Sequence, residues 1–256
     1  MENIQVIILA GGKGKRMETV VPKVLVPFHG KPMVDYVIES VNHSGITNKP
    51  ILVVGYEANQ VIDHVGDKAN FVTQTEQLGT GHAVKCAQEA IGANIEHILV
   101  LYGDMPNITG AMIANLAKTH LDNNKNLTMA TVNVPEFGSW YSSFLGFGRI
   151  VRSASGEIEK IVEYKDATDE EKEIKEVNPA YFCFKKDWLF SNLEKVKNEN
   201  AQGEYYLTDM VYLAKNEGIA SVHISPEEAL GVNTIEQLRE LENIVQKPKG
   251  KDQNLN

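Results

Sequence analysis

Positive charge is the first thing this 256-residue chain is short of: 25 Lys and Arg stand against 34 Asp and Glu, a formal net charge of -9. A chain so acidic overall lacks the basic face that supplies most of the affinity for nucleic acid. Cysteine is nearly absent. Cys86 and Cys183 lie far apart in apolar runs, so no disulfide framework and no CxxC metal or redox pair is available, and both are expected as buried thiols. No stretch reaches the roughly 18 consecutive apolar residues of a membrane span. The opening "VIILA" is too short for a signal peptide and lacks a basic flank. A cytoplasmic protein that touches neither membrane nor nucleic acid is the expectation. Repeats are missing too, including the hexapeptide pattern of a β-helix.

What is there is alternation. "IQVIILA" (4–10), "ILVVG" (51–55) and "HILVLYG" (97–103) read as buried strands. Between them "MVDYVIESVNHSG" (33–45), "ANQVIDHVGD" (58–67) and "HAVKCAQEAIG" (82–92) read as helices. Continuously apolar strands separated by helices predict an α/β fold, with a mostly parallel Rossmann-like sheet covered on both faces. After about residue 127 the pattern turns to strands with few helices: "LTMATVNV", "FGRIVRS", "IEKIVEY" and "VNPAYFCF". These predict a smaller mixed β lobe. Helices return in "KDWLFSNLEKVKN", "LTDMVYLAKNEG" and "IEQLRELENIVQ". The expected organisation is one domain over 1–247, with a nucleotide-binding part to about 130, a lobe over 131–209 and a return to the core over 210–247. The polar end, 248–256, is expected to be disordered.

The first strand runs into "AGGKGKR", where Gly11, Gly12 and Gly14 alternate with Lys13, Lys15 and Arg16. Glycines let backbone N–H groups approach an anion at the carboxyl end of a sheet. The spacing is neither G-x-G-x-x-G nor that of a P-loop, so a phosphate cradle and an ordinary βα turn with solvated lysines both remain open. Lys23 follows in "PKVLVPFHGKPM", giving a count of +3 over this stretch (Lys13, Lys15, Arg16 and Lys23 against Glu18). In "TQTEQLGTGHAV" a glycine-bearing turn carries the amides Gln74 and Gln77, which can pair with a nucleobase edge. "LVLYGDMP" delivers Asp104 at a strand end, where it suits either a cation that carries substrate phosphates or a turn cap.

Taken in order, "ILAGGKGKRM", "PKVLVPFHGKPM", "QTEQLGTGHAV", "LYGDMP", "GFGRIV", "IVEYKDATDEEKEIKEVN", "NAQGEYYLTD" and "GVN" resemble the motifs of the N-acetylglucosamine-1-phosphate uridylyltransferase domain, the N-terminal half of the bacterial bifunctional UDP-N-acetylglucosamine pyrophosphorylase. The resemblance runs from about residue 4 to 240. It implies the nucleotide-diphospho-sugar transferase fold, Mg2+ as cofactor, and UTP and a sugar 1-phosphate as substrates. It also implies transfer of UMP to N-acetylglucosamine 1-phosphate with release of pyrophosphate. By the same resemblance Leu9, Ala10, Gly11, Gly12 and Gly14 line the nucleotide, with Arg16 and Lys23 the catalytic cations. Gln74 and Gln77 read the base beside Gly79, Thr80 and Gly81. Asp104 and Asn233 hold the metal. Tyr102, Gly148, Glu163 and Asn178 face the sugar, as do Tyr206 and Thr208, and Lys165 meets its phosphate.

Departures from the pattern are Lys15 for the usual Thr, Asn178-Pro179-Ala180 for Asn-Thr-Gly, and a longer loop, "VPEFGSWYSSFLGFGRI", whose Trp140, Tyr141 and Phe144 suit a lid or an interface near the sugar. With no β-helix repeat in it, the chain is expected to transfer no acetyl group and to be a monomer or weak dimer. The alternatives are another sugar 1-phosphate such as glucose 1-phosphate, a different base, or a nucleotide-sugar-binding regulatory protein without turnover.

Overall fold

The computed structural model describes residues 3–14, 17 and 21–245; Lys15, Arg16 and the polar end at 248–256 lie outside the described residues. The parallel part is built first. β1 (Ile4–Leu9) is followed by a short antiparallel pair, β2 (Pro27–Phe28) and β3 (Lys31–Pro32), and by α1 (Met33–Ser44). Then come β4 (Ile51–Val54), α2 (Ala58–Val65), β5 (Asn70–Thr73), α3 (Thr80–Cys86), β6 (His97–Tyr102) and α4 (Gly110–Asn123). The strands line up as β5-β4-β1-β6, all parallel. The chain therefore leaves β1 on one side and returns on the other, which opens a crevice at the carboxyl ends of β1 and β6, where α/β sheets bind ligands.

The remaining strands extend the same sheet. β7 (Leu127–Asn133), β8 (Gly148–Arg152) and β9 (Ile158–Val162) precede α5 (Asp169–Lys172), β10 (Glu176–Asn178) and β11 (Phe182–Lys185). After α6 (Lys186–Leu193) and α7 (Asp209–Ala214) come β12 (Ala220–His223) and α8 (Ile235–Ile244). The order continues β6-β11-β7-β10-β8-β9 with antiparallel pairing, and β12 lies parallel to β7. The α/β class read from the sequence is the observed one, and the lobe is a continuation of the core sheet.

Alternate residues of each central strand go to opposite faces. Val6, Ile8, Leu52, Val54, Leu99 and Leu101 join one core with α1, α2, α4 and α8; Ile7, Ile51, Val53, Ile98 and Val100 join the other with α3, α6 and α7. Both faces are dry, which is why these strands are apolar at every position. Cys183 is buried as expected, whereas Cys86 is only half-buried, on the last turn of α3.

The expected single strand "VNPAYFCF" is in fact two. Proline removes a ladder donor at 179, and Ala180 adopts a left-handed φ of +65°. Its N–H donates to Asn178 Oδ1 at 2.9 Å. The break hands the chain from β10 in the lobe to β11 between β6 and β7. The aromatic segment folds as a 3-10 turn, Ser139–Phe144, that is fastened down: Phe144 is fully buried, Ser143 donates to Glu240 on α8, and Arg149 donates to the carbonyls of Leu145 and Phe147. Its hydrogen bond from Ser143 ties the segment to α8, and Arg149 holds its end at Leu145 and Phe147.

Candidate active site

The end of β6, a 3-10 turn and the loop before α8 build a charged cluster. β6 ends at Tyr102, and two residues on Asp104 enters the crevice. The Asp104 carbonyl accepts from Val232 N at 3.0 Å, which fastens the "GVN" loop beside it. Lys23, at the head of a 3-10 turn (Lys23–Leu25), reaches the same point. Its ammonium forms an ion pair with Asp104 Oδ2 and donates to Asn233 Oδ1 at 3.0 Å. The Lys23 and Asp104 side chains retain only 12% and 17% of their exposure. A carboxylate and an amide oxygen thus converge on one cation from elements about 130 residues apart in sequence. Both are hard oxygen donors of the kind a divalent cation takes. Among the described residues no group of three or more His, Cys, Asp or Glu is placed to cage a metal. A cation here needs further oxygens, and substrate phosphates can supply them.

The glycine loop lies alongside. Gly14 has φ +58°, and a Cβ on it would stand 2.8 Å from Lys23 Cβ, so glycine is what lets the loop pass over Lys23. Gly12 and Lys13 are exposed, with the Lys13 ammonium 5.2 Å from the Tyr56 ring centroid. Leu9 and Ala10 end the strand inside the core and are tied by Gly103 N to Leu9 O and Ala10 N to Val53 O. Arg16 lies outside the described residues.

Next to it the ends of β1 and β4 pack closely, with two amide side chains against them. A Cβ on Gly55 would fall 2.8 Å from Gly11 O and 3.2 Å from Gln77 Nε2, and one on Gly11 would fall 3.4 Å from Gln74 Oε1. Two glycines and two amides therefore meet at the ends of β1 and β4. Gln74 is buried, and its Nε2 donates to Gly79 O at 3.0 Å and to His82 Nδ1 at 3.0 Å. Gly79 has φ +109°, and a Cβ there would meet Tyr205 O at 2.7 Å. The sequence alone does not single out Gly55, His82 or Tyr205. Gly55 reads there as the last residue of a strand, His82 as an ordinary residue of the helix that follows the turn, and Tyr205 acts through Gly79 and Gly81, remote in the chain.

A second cluster continues from here into the lobe. Thr80 Oγ1 accepts from Leu207 N at 3.0 Å and hydrogen-bonds the Tyr102 hydroxyl, whose ionisation burial pushes far up. Thr208 donates to Glu163 Oε1 at 3.1 Å. Gly148 pairs with Asn178 across the strands, and a Cβ on it would lie 3.5 Å from Glu163 Oε1. Burial raises the Tyr206 hydroxyl to about 12, with Glu163 adding to the effect. Lys165 is exposed and donates to Gln202 at 2.7 Å, at the rim. Among the described residues, Lys23, Asp104 and Asn233 therefore form one group, and Thr80, Tyr102, Glu163, Thr208, Gly148 and Asn178 are linked in another, with Lys165 outside both.

Burial holds the Glu163 carboxyl above the ordinary carboxylate range, the Thr208 hydrogen bond opposes this, and Asp209 and Asp166 reinforce it. A raised carboxyl makes ionisation harder in the folded state than in the unfolded. The cost to stability is then full above the folded pKa and gone below the unfolded one. Glu163→Gln keeps an acceptor for Thr208 and removes the buried charge. Its Tm at pH 7–8 should exceed that of the parent, with the gain shrinking as pH falls through the carboxylate range; calorimetry across pH checks this.

Set beside known proteins, the arrangement has a clear place. The MobA-like NTP transferase domain matches residues 6–209, and the chain belongs to that family. Curated relatives narrow it further. It is 41% identical over 236 residues to the bifunctional protein GlmU of Enterococcus faecalis, 43% over 230 to that of Shouchella clausii and 40% over 250 to that of Acetivibrio thermocellus. These alignments cover 91%, 89% and 96% of this chain but 50%, 49% and 52% of the relatives, so the chain spans about half their length. In fold it is similar to a UDP-glucose pyrophosphorylase crystallised with UDP-glucose, with a TM-score of 0.75 at 18% identity over 95% of this chain and 98% of that one. No helix among the described residues is long and apolar enough to cross a membrane.

Proposed function

We propose that the chain transfers UMP from UTP to N-acetylglucosamine 1-phosphate, giving UDP-N-acetylglucosamine and pyrophosphate. The observation that carries this is the convergence of Lys23, Asp104 and Asn233 on one point in the crevice, next to the Gln74 and Gln77 amides at the ends of β1 and β4. The 40–43% identity to the GlmU proteins supports the choice of substrates.

In this reading a phosphate oxygen of the sugar 1-phosphate attacks the α-phosphorus of UTP in line. One P–O bond forms, the bond to the β-phosphate oxygen breaks, and pyrophosphate leaves with the electron pair. The attacking oxygen is already anionic, so no protein nucleophile or base is required. Positioning and charge stabilisation do the work. The backbone of Leu9, Ala10, Gly11, Gly12 and Gly14 lines the nucleotide, while Lys23 and Arg16 balance the charge that develops on its phosphates. Gln74 and Gln77 read the uracil edge beside Gly79 and Thr80. Tyr102, Gly148, Glu163, Asn178, Tyr206 and Thr208 hold the sugar, and Lys165 reaches its phosphate. Asp104 and Asn233 would hold Mg2+, which supplies charge neutralisation at the phosphate oxygens when bound. An acidic exterior around a local cationic site suits a small polyanion and disfavours long ones. The setting is the cytoplasm, as a monomer or weak dimer.

The test is pyrophosphate release from a matrix of nucleoside triphosphates and sugar 1-phosphates with Mg2+. N-acetylglucosamine 1-phosphate should exceed glucose 1-phosphate by roughly 10–200-fold in kcat/KM, the range for a small apolar group in a fitted pocket. Equal or better use of glucose 1-phosphate would remove the sugar assignment and leave uridylyl transfer in place. No pyrophosphate with any pair would point to a binding protein without turnover.

A further inference from the structure

His82 takes no part in the proposed transfer itself, yet it anchors Gln74, the amide proposed to read the base. Gln74 Nε2 donates both to Gly79 O and to His82 Nδ1, each at 3.0 Å. A backbone carbonyl can only accept, and an amide NH2 can only donate. The amide is therefore oriented without ambiguity, with its nitrogen toward α3 and its Oε1 toward Gly11, 3.4 Å from where a Cβ on that glycine would stand. The same logic fixes the imidazole. Nδ1 must accept, so the ring proton sits on Nε2, which faces Cys86 Sγ at 3.7 Å. Burial raises the Cys86 thiol and keeps it protonated, a weak acceptor for that N–H.

We propose that His82 is a positioning residue for nucleobase choice: by holding the nitrogen of Gln74, it presents Oε1 to the base and so selects uracil over cytosine. The inference rests on Gln74 reading the base. Uracil carries a donor, N3–H, where cytosine carries a lone pair, and O4 where cytosine carries an amino group. Held this way, Oε1 is the atom left to accept from uracil N3–H. Gln77 Nε2 is 3.2 Å from the Cβ position of Gly55, at the neighbouring strand end, and can donate to O4. In the same pose cytosine sets acceptor against acceptor and donor against donor. Without His82 a single anchor, Gly79 O, opposes rotation of the amide, and a turned amide offers its NH2 to cytosine N3.

The experiment uses the full chain with N-acetylglucosamine 1-phosphate and Mg2+, and compares kcat/KM for UTP and CTP. His82→Asn places a side-chain oxygen near the position of Nδ1; His82→Gln, equally polar, places its amide near Nε2 instead. The UTP-to-CTP ratio should fall about tenfold in His82→Gln, the worth of one hydrogen bond to an amide, and move mainly through KM for the nucleotide. In His82→Asn it should stay within about threefold of the parent, because a single acceptor is restored. His82→Leu should behave as His82→Gln. An unchanged ratio in His82→Gln, or an equal fall in both polar variants, overturns the proposal. A parent that does not prefer UTP to CTP overturns the uridylyl reading itself, and this proposal with it.

Discussion

Asp104→Ala should lower kcat by about a thousandfold or more while the protein stays folded. The size reflects the work of the carboxylate. It is a formal negative charge at the point where Lys23 and Asn233 meet, and an amide oxygen alone is a poor counter-charge for a divalent cation. In the proposed reaction a cation held there would contribute several kcal/mol of charge stabilisation at the phosphate oxygens, and each 1.36 kcal/mol is tenfold in rate. The fold survives because the Asp104 side chain lies in a crevice outside both apolar cores and keeps 17% of its exposure. The backbone tie from Val232 N to Asp104 O is also untouched by truncation. Asp104→Asn separates charge from shape: it retains a hydrogen-bonding group near Lys23 and should still lose nearly all turnover. The measurements are pyrophosphate release over a Mg2+ titration and a melting curve for each variant. Near-parental kcat in either one removes Asp104 from the mechanism.

Much of this site is legible in the sequence because its residues sit where strands end. Ile4–Leu9, Ile51–Val54 and His97–Tyr102 are apolar throughout, which marks strands buried on both faces, and the residues just past each strand end face the crevice. "AGGKG" and "YGD" carry their position with them. Other parts are hidden for physical reasons. Asn70–Thr73 is short and partly exposed at the sheet edge, so it has no apolar run to announce it. Ala220–His223 is equally unannounced, whereas Gly110–Asn123 does carry helical signals, Thr109 at its N-cap and apolar Met112, Ile113, Leu116 and Ala117 on one face, and is missing from the helices read from the sequence. The break at Pro179-Ala180 shows in the sequence as a proline, but the left-handed Ala180 is settled by the passage of the chain between two strands of one sheet. Likewise the bond from Lys23 to Asn233 spans 210 residues, and no local pattern encodes it. Resemblance to a family puts these two residues in one site; the sheet order supplies the physical reason.

Lys23→Ala should lower kcat by roughly two to three orders of magnitude and raise KM for UTP far less. An ammonium that acts on charge developing in the transition state contributes more there than in the ground state, and its removal appears in kcat. The structure gives Lys23 the setting for this. Its side chain keeps only 12% of its exposure, so water replaces its charge poorly. Gly14 passes directly over it, where a Cβ would come within 2.8 Å of Lys23 Cβ, so the glycine loop and the ammonium share one wall of the crevice. In the structure the ammonium is held by Asp104 and Asn233, the same oxygens that would hold the cation. When substrate enters, Lys23 must therefore exchange these partners for phosphate oxygens. That exchange predicts coupling: the Lys23→Ala and Asp104→Ala effects should fall well short of multiplying in the double variant, because each removes the other's partner. Lys23→Arg should recover little, since a planar fork does not fit a point contact built for an ammonium. The measurement is kcat and KM for UTP at saturating Mg2+ and sugar phosphate in all four forms. If KM alone moves in Lys23→Ala, the residue binds nucleotide and takes no part in the transition state; if the two effects multiply, the shared site drawn from the Lys23–Asp104 pair is wrong.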